Sequence, residues 1–70
     1  MSGGRESKQK ARFARALELH RAGETDQAIR HYRAILQVEP SHFDAAHMLG
    51  AVYLQRREYE LAERQLRRAL

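Results

Sequence analysis

The sequence predicts an all-α fold of four antiparallel helices joined by short connections. Ala, Leu, Arg, Glu and Gln dominate a chain of 70 residues that holds one Pro and four Gly, a composition that favours helix. Apolar residues recur three and four positions apart, which is typical of the buried face of a helix, and no segment alternates as a strand would. A chain of this length holds one small domain at most.

The first helix is predicted from Ser7 to Ala22, after a lead of residues 1–6 that we expect to be flexible. Basic residues in its last turn, followed by Gly23, are typical of a helix C-terminus, because glycine adopts left-handed backbone there without strain. Its apolar residues are Ala11, Phe13, Ala14, Ala16, Leu17 and Leu19.

The second helix is predicted to begin at a side-chain cap supplied by Thr25 or Asp26. It is predicted to end before Pro40, because proline disfavours helical backbone at the residue that precedes it. Its buried face is predicted to consist of Ala28, Ile29, Tyr32, Ile35, Leu36 and Val38.

The third helix is predicted to begin at a cap from Ser41, with Asp44 giving an acidic first turn. The break before the fourth helix is placed at residues 56–58, although neither Gly nor Pro stands there, and the fourth helix begins at about Tyr59. The apolar positions of these two helices are Ala45, Ala46, Met48, Leu49, Val52, Tyr53 and Leu54, and then Leu61, Ala62, Leu66, Ala69 and Leu70.

The two halves of the chain repeat each other at a spacing of 34 residues. Short connections make successive helices antiparallel, so the four helices form two hairpins. Residues 9–36 and 43–70 are identical at only six positions, but size and polarity recur. Pairs at this spacing include Ala16 and Gly50, Ala28 and Ala62, Leu19 and Tyr53, and Tyr32 and Leu66. A helix–turn–helix unit with this period is a signature of helical repeat proteins.

The motifs of both halves make the chain resemble a pair of tetratricopeptide repeats. Those motifs are Leu49-Gly50-x-x-Tyr53 and Tyr59-x-x-Ala62-x-x-x-Leu66-x-x-Ala69 in the second copy, and Ala16-x-x-Leu19, Gly23, Ala28-x-x-x-Tyr32-x-x-Ile35 and the closing Pro40 in the first. The domain is expected to span residues 7–70, with repeat one at about 9–42 and a truncated repeat two at about 43–70. The resemblance implies α-α hairpins that stack into a right-handed superhelix.

Small residues occupy the positions where the paired helices of each repeat are expected to cross. These residues are Ala16, Ala28, Gly50 and Ala62. A larger side chain at any of them would push the two helix backbones apart, so we expect all four to be buried.

Two departures from the family pattern concern the ends of the array. Arg12 and Arg15 stand where the family usually has large apolar residues, which suggests that no repeat precedes them. At the other end, we expect the last helix to leave an apolar face near Leu66 and Leu70 uncovered. Two interpretations stay open: the chain is an excised piece of a longer protein, or it associates through this face.

The sequence holds no set of residues that predicts catalysis or a cofactor. It has no Cys, no Gly-rich phosphate-binding loop and no Ser-His-Asp set with supporting context. His42 and His47 lie five residues apart, not the four that put two ligands on one helix face. His20 and His47 could approach each other, but without a carboxylate or thiolate they would make a poor metal site. We therefore expect no enzyme activity, no cofactor and no metal.

The net charge of +4 reflects basic residues concentrated in the first and last helices. They are Arg5, Lys8, Lys10, Arg12 and Arg15, and then Arg64, Arg67 and Arg68. Because acidic residues separate the two groups and no aromatic residues are interleaved to stack on bases, nucleic-acid binding is the least favoured function. No apolar run is long enough to span a membrane, the N-terminus does not resemble a secretory signal, and we expect a cytoplasmic location.

The resemblance implies a protein–protein interaction module or scaffold. In tetratricopeptide proteins the first helices of successive repeats line a concave groove that binds an extended peptide or a helix. The expected groove residues here are Lys10, Phe13, Leu17, His20 and Arg21 on the first helix, and Asp44, His47, Ala51, Leu54 and Gln55 on the third. Phe13 and Leu17 have an alternative interpretation as core residues. The alternative functions are a regulatory or targeting segment of a larger enzyme, such as a glycosyl- or sulfotransferase, and a homo-oligomerisation domain.

Overall fold

The computed structural model describes residues 4–69, with side chains described from residue 8 onward. Across that part of the chain the fold consists of four helices and no strand. The helices are α1 (Gly4–Arg21), α2 (Thr25–Val38), α3 (Phe43–Gln55) and α4 (Tyr59–Ala69). α1 packs against α2, α2 against α3, and α3 against α4. The all-α prediction of two helical hairpins is confirmed.

α1 begins at Gly4 rather than at the predicted Ser7, inside the stretch predicted to be a flexible lead. The residues between Gly4 and Lys10 include Arg, Glu, Lys and Gln, which are among the better helix formers. This local propensity extends the helix toward the N-terminus. The C-terminus of α1, at Arg21, agrees with the predicted one within one residue.

The turn after α1 closes through two backbone hydrogen bonds. The N–H of Glu24 donates to the carbonyl of Leu19 at 2.8 Å. The N–H of Gly23 donates to the carbonyl of His20 at 3.1 Å. A helix end that forms both of these hydrogen bonds requires left-handed backbone, and Gly23 supplies it with φ +83°.

The turn after α3 repeats this pattern 34 residues later, without a glycine. The N–H of Glu58 donates to the carbonyl of Tyr53 at 2.9 Å. The N–H of Arg57 donates to the carbonyl of Leu54 at 3.0 Å. Arg57 has φ +61°, a conformation that costs an L residue more than it costs glycine. The break predicted at residues 56–58 is therefore confirmed, and its sequence signal is weak because an arginine stands at the glycine position.

The cap of α3 is His42 and not the predicted Ser41. The Nδ1 atom of His42 accepts a hydrogen bond from the backbone N–H of Ala45 at 3.0 Å. An unprotonated imidazole nitrogen is as able an acceptor as a hydroxyl oxygen, and the turn that follows Pro40 places His42 at the half-helical position. The predicted acidic first turn at Asp44 is confirmed.

Arg56, in the turn after α3, links the second hairpin to the start of α2. Its Nη1 atom donates to the carboxylate of Asp26 and, at 3.4 Å, to the hydroxyl of Thr25. Its Nε atom donates to the carboxylate of Glu58 at 2.9 Å. The prediction that Thr25 or Asp26 caps α2 is therefore wrong: Glu24 holds the cap position and its side chain accepts no hydrogen bond from the backbone N–H groups of α2, while Arg56 binds both predicted caps.

The pKa values of Asp26 and Arg56 shift in opposite directions in this arrangement. The hydrogen bond from Arg56, and then its positive charge, lower the pKa of Asp26. The same hydrogen bond raises the pKa of Arg56. Because both side chains are exposed to solvent, the pair contributes little to stability, although it connects the second hairpin to the start of α2.

All four helices contribute to one apolar core. Its largest fully buried side chains lie on α2 and α3, the two helices that have a neighbour on either side. The buried apolar residues are Ala16, Leu19, Ala28, Tyr32, Ile35, Leu36, Ala45, Ala46, Leu49, Val52, Tyr53 and Ala62.

Val38, which is predicted on the buried face of α2, is exposed, as are Leu54 and Leu61 among the apolar positions of α3 and α4. Val38 at the end of α2 is 37% exposed, Leu54 is 46% exposed, and Leu61 is 36% exposed. Ala62 is the one buried residue among those described on α4. The physical reason for the exposure of Leu61 is that, within residues 4–69, no helix covers the outer side of α4.

The four small residues predicted at the helix crossings are all buried. Ala16 and Ala28 are fully buried, and Ala62 is 1% exposed. A Cβ atom placed on Gly50 would lie 2.8 Å from Cδ2 and 2.9 Å from Cγ of Leu66. Real Cβ atoms do not approach other carbons so closely, so the side chain of Leu66 would have to shift to admit any residue larger than Gly50.

We expect Arg57→Gly to raise the free energy of unfolding by about 0.5–1 kcal/mol, because glycine adopts positive φ without steric cost but loses more entropy on folding. Urea denaturation followed by circular dichroism measures the change. The matched control is Arg12→Gly, inside α1, which we expect to lower stability by about 1 kcal/mol. A loss of stability in Arg57→Gly would contradict the left-handed conformation at this turn.

We expect Gly50→Ala to lower the free energy of unfolding by about 1 kcal/mol, because overpacking against Leu66 outweighs the gain in helix propensity. Leu66→Ala removes both crowded carbon atoms, so Gly50→Ala in that background is expected to be neutral or stabilising. A double-mutant cycle measured by urea denaturation gives the coupling between the two positions. Equal effects of Gly50→Ala in both backgrounds would show that Leu66 is not the obstacle.

Candidate functional site

The α1–α3 surface is the face formed by eight of the predicted groove residues. They form two sets that are 34 residues apart: Phe13, Leu17, His20 and Arg21 on α1, and His47, Ala51, Leu54 and Gln55 on α3. On each helix the four residues are spaced at i, i+4, i+7 and i+8, so they share one helix face. Because the two hairpins repeat each other, α1 and α3 present equivalent faces.

A side-chain hydrogen bond joins α1 to α3 on this surface. The Nε2–H group of His20 donates to the side-chain carbonyl of Gln55 at 2.8 Å. The His20 ring also lies edge-on to Tyr32, with ring centroids 6.5 Å apart and planes at 88°. These two contacts hold the half-buried imidazole in place. The sequence suggested an approach between His20 and His47, but the partner of His20 is Gln55.

The apolar residues of the α1–α3 surface differ in their exposure. Leu17 and Ala51 are half-buried, whereas Leu54 is 46% exposed. Arg21 and His47 are exposed. The surface therefore combines apolar side chains that a partner could cover with polar side chains that could orient it, which is the composition of many protein interfaces.

Phe13 contacts the core beneath the α1–α3 surface. Its ring centroid lies 5.9 Å from that of Tyr32 and 5.5 Å from that of His42. The side chain is half-buried and packs against the core cluster. These contacts favour the core interpretation of Phe13, the alternative that its sequence pattern left open.

Tyr32 is fully buried, and its hydroxyl has no hydrogen-bond partner among the described residues. Burial raises the pKa of Tyr32, since the ionised form loses its hydration. The hydroxyl therefore stays neutral across the physiological range. Tyr32 contributes to the core and is not a candidate for proton transfer.

The histidines with a partner in the described part of the chain have structural roles. His42 caps α3, and the Nδ1–H group of His31 donates to the backbone carbonyl of Gln27 at 3.1 Å. Among the described residues, no group of three or more His, Asp or Glu side chains could hold a metal ion. None of the described helices has the length and apolar character needed to cross a bilayer.

A second surface, the α3–α4 cleft, lies on the outer side of the second hairpin and has a volume of about 440 Å³. It is lined by Phe43, Asp44, His47, Leu66 and Ala69. Leu66, which the sequence placed on an association face, is half-buried in this cleft, and Leu70 lies outside the described residues. Phe43, which is 57% exposed, was not predicted as a site residue.

The first hairpin shows what covers these positions when a neighbouring helix is present. The residues 34 positions before the cleft residues are Gln9, Lys10, Phe13, Tyr32 and Ile35. Gln9 is only 6% exposed, and Tyr32 and Ile35 are fully buried. α3 and its cap His42 pack against this side of the first hairpin. No sequence signal identifies Phe43, because the burial of its counterpart Gln9 is seen only in the structure.

Comparisons with known proteins agree with the repeated geometry. The family model described as the tetratricopeptide repeat matches residues 19–70, which is more than half of the chain. No curated protein and no solved structure matches the chain. The matched residues include the helix turn at Arg57 and the close crossing at Gly50. The chain belongs to the tetratricopeptide repeat family.

Proposed function

We propose that this chain is a protein–protein interaction module that binds a peptide or a helix of a partner protein through the α1–α3 surface. The observation that carries the proposal is Leu54, which is 46% exposed on the same helix face as half-buried Ala51. Covering an exposed leucine removes apolar area from water and favours association. Membership of the tetratricopeptide repeat family supports the proposal, because such repeats are generally protein-interaction modules.

The polar residues of the α1–α3 surface orient the bound peptide. Gln55 accepts a hydrogen bond from His20 through its carbonyl, and among the described residues its amide N–H groups donate to nothing. They are therefore available to carbonyl groups of a bound main chain. The exposed guanidinium of Arg21 adds a positive charge on the same face. A peptide that places an apolar side chain over Leu54 and a carbonyl at Gln55 fits this arrangement.

The α1–α3 surface could have the same binding role whether the chain is a free-standing module or a regulatory or targeting segment of a larger enzyme. In both cases the chain contributes binding and the chemistry lies elsewhere. A glycosyl- or sulfotransferase is one class of enzyme that such a segment could serve.

Leu54→Glu is expected to weaken peptide binding about tenfold or more, because a buried carboxylate without a partner costs more than the lost apolar contact. Peptides selected from a displayed random library against the wild-type chain are the probes, and fluorescence anisotropy measures their affinities. Leu61→Glu is the matched control, since Leu61 is a partly exposed leucine on α4, outside the α1–α3 surface. Circular dichroism verifies that both variants are folded.

Two results would contradict the proposed groove. One is that the selected peptides bind Leu54→Glu and the wild-type chain equally well. The other is that Leu61→Glu weakens their binding as much as Leu54→Glu does.

A second candidate function is self-association through the α3–α4 cleft, favoured by the exposure of Phe43. Head-to-tail stacking of two copies is disfavoured, because α1 carries Arg12 and Arg15 where α3 carries buried Ala46 and Leu49. Burying those arginines without partners would cost more than the contact supplies. We therefore propose a two-fold arrangement in which the clefts of two copies face each other.

Sedimentation velocity over a range of concentrations tests this association. We expect the wild-type chain to form a dimer at high concentration and Phe43→Glu to remain monomeric, because a charge would be buried at the two-fold contact. Leu61→Glu, with the same charge on the neighbouring helix, should still dimerise. A wild-type chain that is monomeric at every concentration would exclude the two-fold arrangement.

A further inference from the structure

We infer that a second binding site, for a carboxylate-bearing segment of a protein partner, lies in a cleft between α2 and α4. This α2–α4 cleft has a volume of about 360 Å³. It is lined by Arg33, Leu36, Gln37, Leu49, Arg64, Gln65 and Arg68. We call Arg33, Arg64 and Arg68 the three cleft arginines. The three come from two hairpins and are brought together by the packing of the repeats.

The α2–α4 cleft is separate from the α1–α3 surface. Leu49 is the residue that α3 contributes to the cleft, and Ala51 is one of those that α3 contributes to the surface. Two residues correspond to about 200° of rotation around a helix, so these side chains point in nearly opposite directions. A partner in the cleft would leave the α1–α3 surface accessible.

The three cleft arginines have no carboxylate partner among the described residues, whereas Arg15, Arg56 and Arg67 each have at least one. Arg15 lies 3.9 Å from Glu18, Arg67 lies 3.2 Å from Glu63, and Arg56 contacts two carboxylates. All three cleft arginines are exposed. The cleft therefore concentrates positive charge that the described part of the chain does not neutralise.

Two of these positive charges are placed where they repel each other. Arg64 and Arg68 are one helical turn apart on α4, a spacing at which like charges destabilise a helix. The one hydrogen bond formed here within the described residues runs from Nη1 of Arg68 to the side-chain carbonyl of Gln65 at 3.5 Å. A bound anionic group would relieve the repulsion and would supply charged acceptors to both guanidinium groups.

The lining of the cleft favours carboxylates of a protein over phosphates of a nucleic acid. No aromatic side chain lines it, so bases would have no platform on which to stack. Its floor contains apolar Leu36 and Leu49, and its rim carries the amides of Gln37 and Gln65, which can donate to and accept from a peptide main chain. Guanidinium groups also match carboxylates with two parallel hydrogen bonds. A helix with glutamates one turn apart would match Arg64 and Arg68.

A labelled helical peptide with glutamates one turn apart, acetylated and amidated at its ends, is the probe. The same peptide with glutamine in place of glutamate, and a single-stranded oligothymidine of equal charge, are the comparisons. We expect the wild-type chain to bind the glutamate peptide in preference to both at about physiological ionic strength, where long-range attraction is screened. Fluorescence anisotropy measures all three affinities.

The variant Arg33→Gln/Arg68→Gln is expected to weaken binding of the glutamate peptide about tenfold or more, which is about 1.4 kcal/mol. Arg12→Gln/Arg15→Gln makes the same change in net charge outside the cleft and should alter the affinity less than about twofold. Arg33→Lys/Arg68→Lys, which keeps the charge but loses the paired hydrogen bonds, should lie between the two. Leu54→Glu should leave this affinity unchanged, so the test is independent of the α1–α3 surface.

Three outcomes would overturn the proposal. The first is that the glutamate peptide fails to bind the wild-type chain. The second is that Arg33→Gln/Arg68→Gln and Arg12→Gln/Arg15→Gln lose affinity equally, which indicates attraction by net charge alone. The third is that oligothymidine binds as tightly as the peptide, with the same dependence on the cleft arginines. Circular dichroism of each variant establishes that these comparisons are made on folded protein.

Discussion

The close approach of α3 to α4 at Gly50 is the contact on which the surfaces of the second hairpin depend. Cγ and Cδ2 of Leu66 occupy the space that a Cβ on residue 50 would need. This contact lets α3 and α4 approach each other closely with Leu66 between them. Leu66 then faces α3 and the α3–α4 cleft, and Arg64 and Arg68 line the cleft with α2. A wider crossing would displace all of these side chains together.

Two further features concern the turns of the hairpins. Each hairpin turns through the same pair of backbone hydrogen bonds, with left-handed backbone at Gly23 in one and at Arg57 in the other. Arg56 then joins the second turn to Asp26 at the start of α2. The Arg56–Asp26 pair is exposed and contributes little to stability. The apolar contact between α2 and α3 therefore supplies most of the stability that joins the two hairpins. The outcome is a layer with the α1–α3 surface on one side and the α2–α4 cleft on the other.

The 34-residue spacing predicts much of the fold, because packing constrains size and polarity at equivalent positions, whereas the residues of the α1–α3 surface follow from the resemblance to tetratricopeptide repeats. The spacing does not predict that His42 caps α3, because the turn after Pro40 decides which residue stands at the cap position. It also misses the exposure of Phe43, which depends on what covers α3. The α2–α4 cleft could not be found from local patterns, because Arg33 and Arg64 lie on different repeats and meet through packing.

Backbone amide hydrogen exchange, followed by NMR, tests most directly whether the apolar contact between α2 and α3 unites the two hairpins into one cooperative structure. We predict that amides of α2 near Ile35 and of α3 near Val52 exchange most slowly and share one free energy of opening, since both lie at the centre of the core. The last turn of α4 should exchange faster. Separate opening free energies for the two hairpins, with no slow amides common to α2 and α3, would contradict the account.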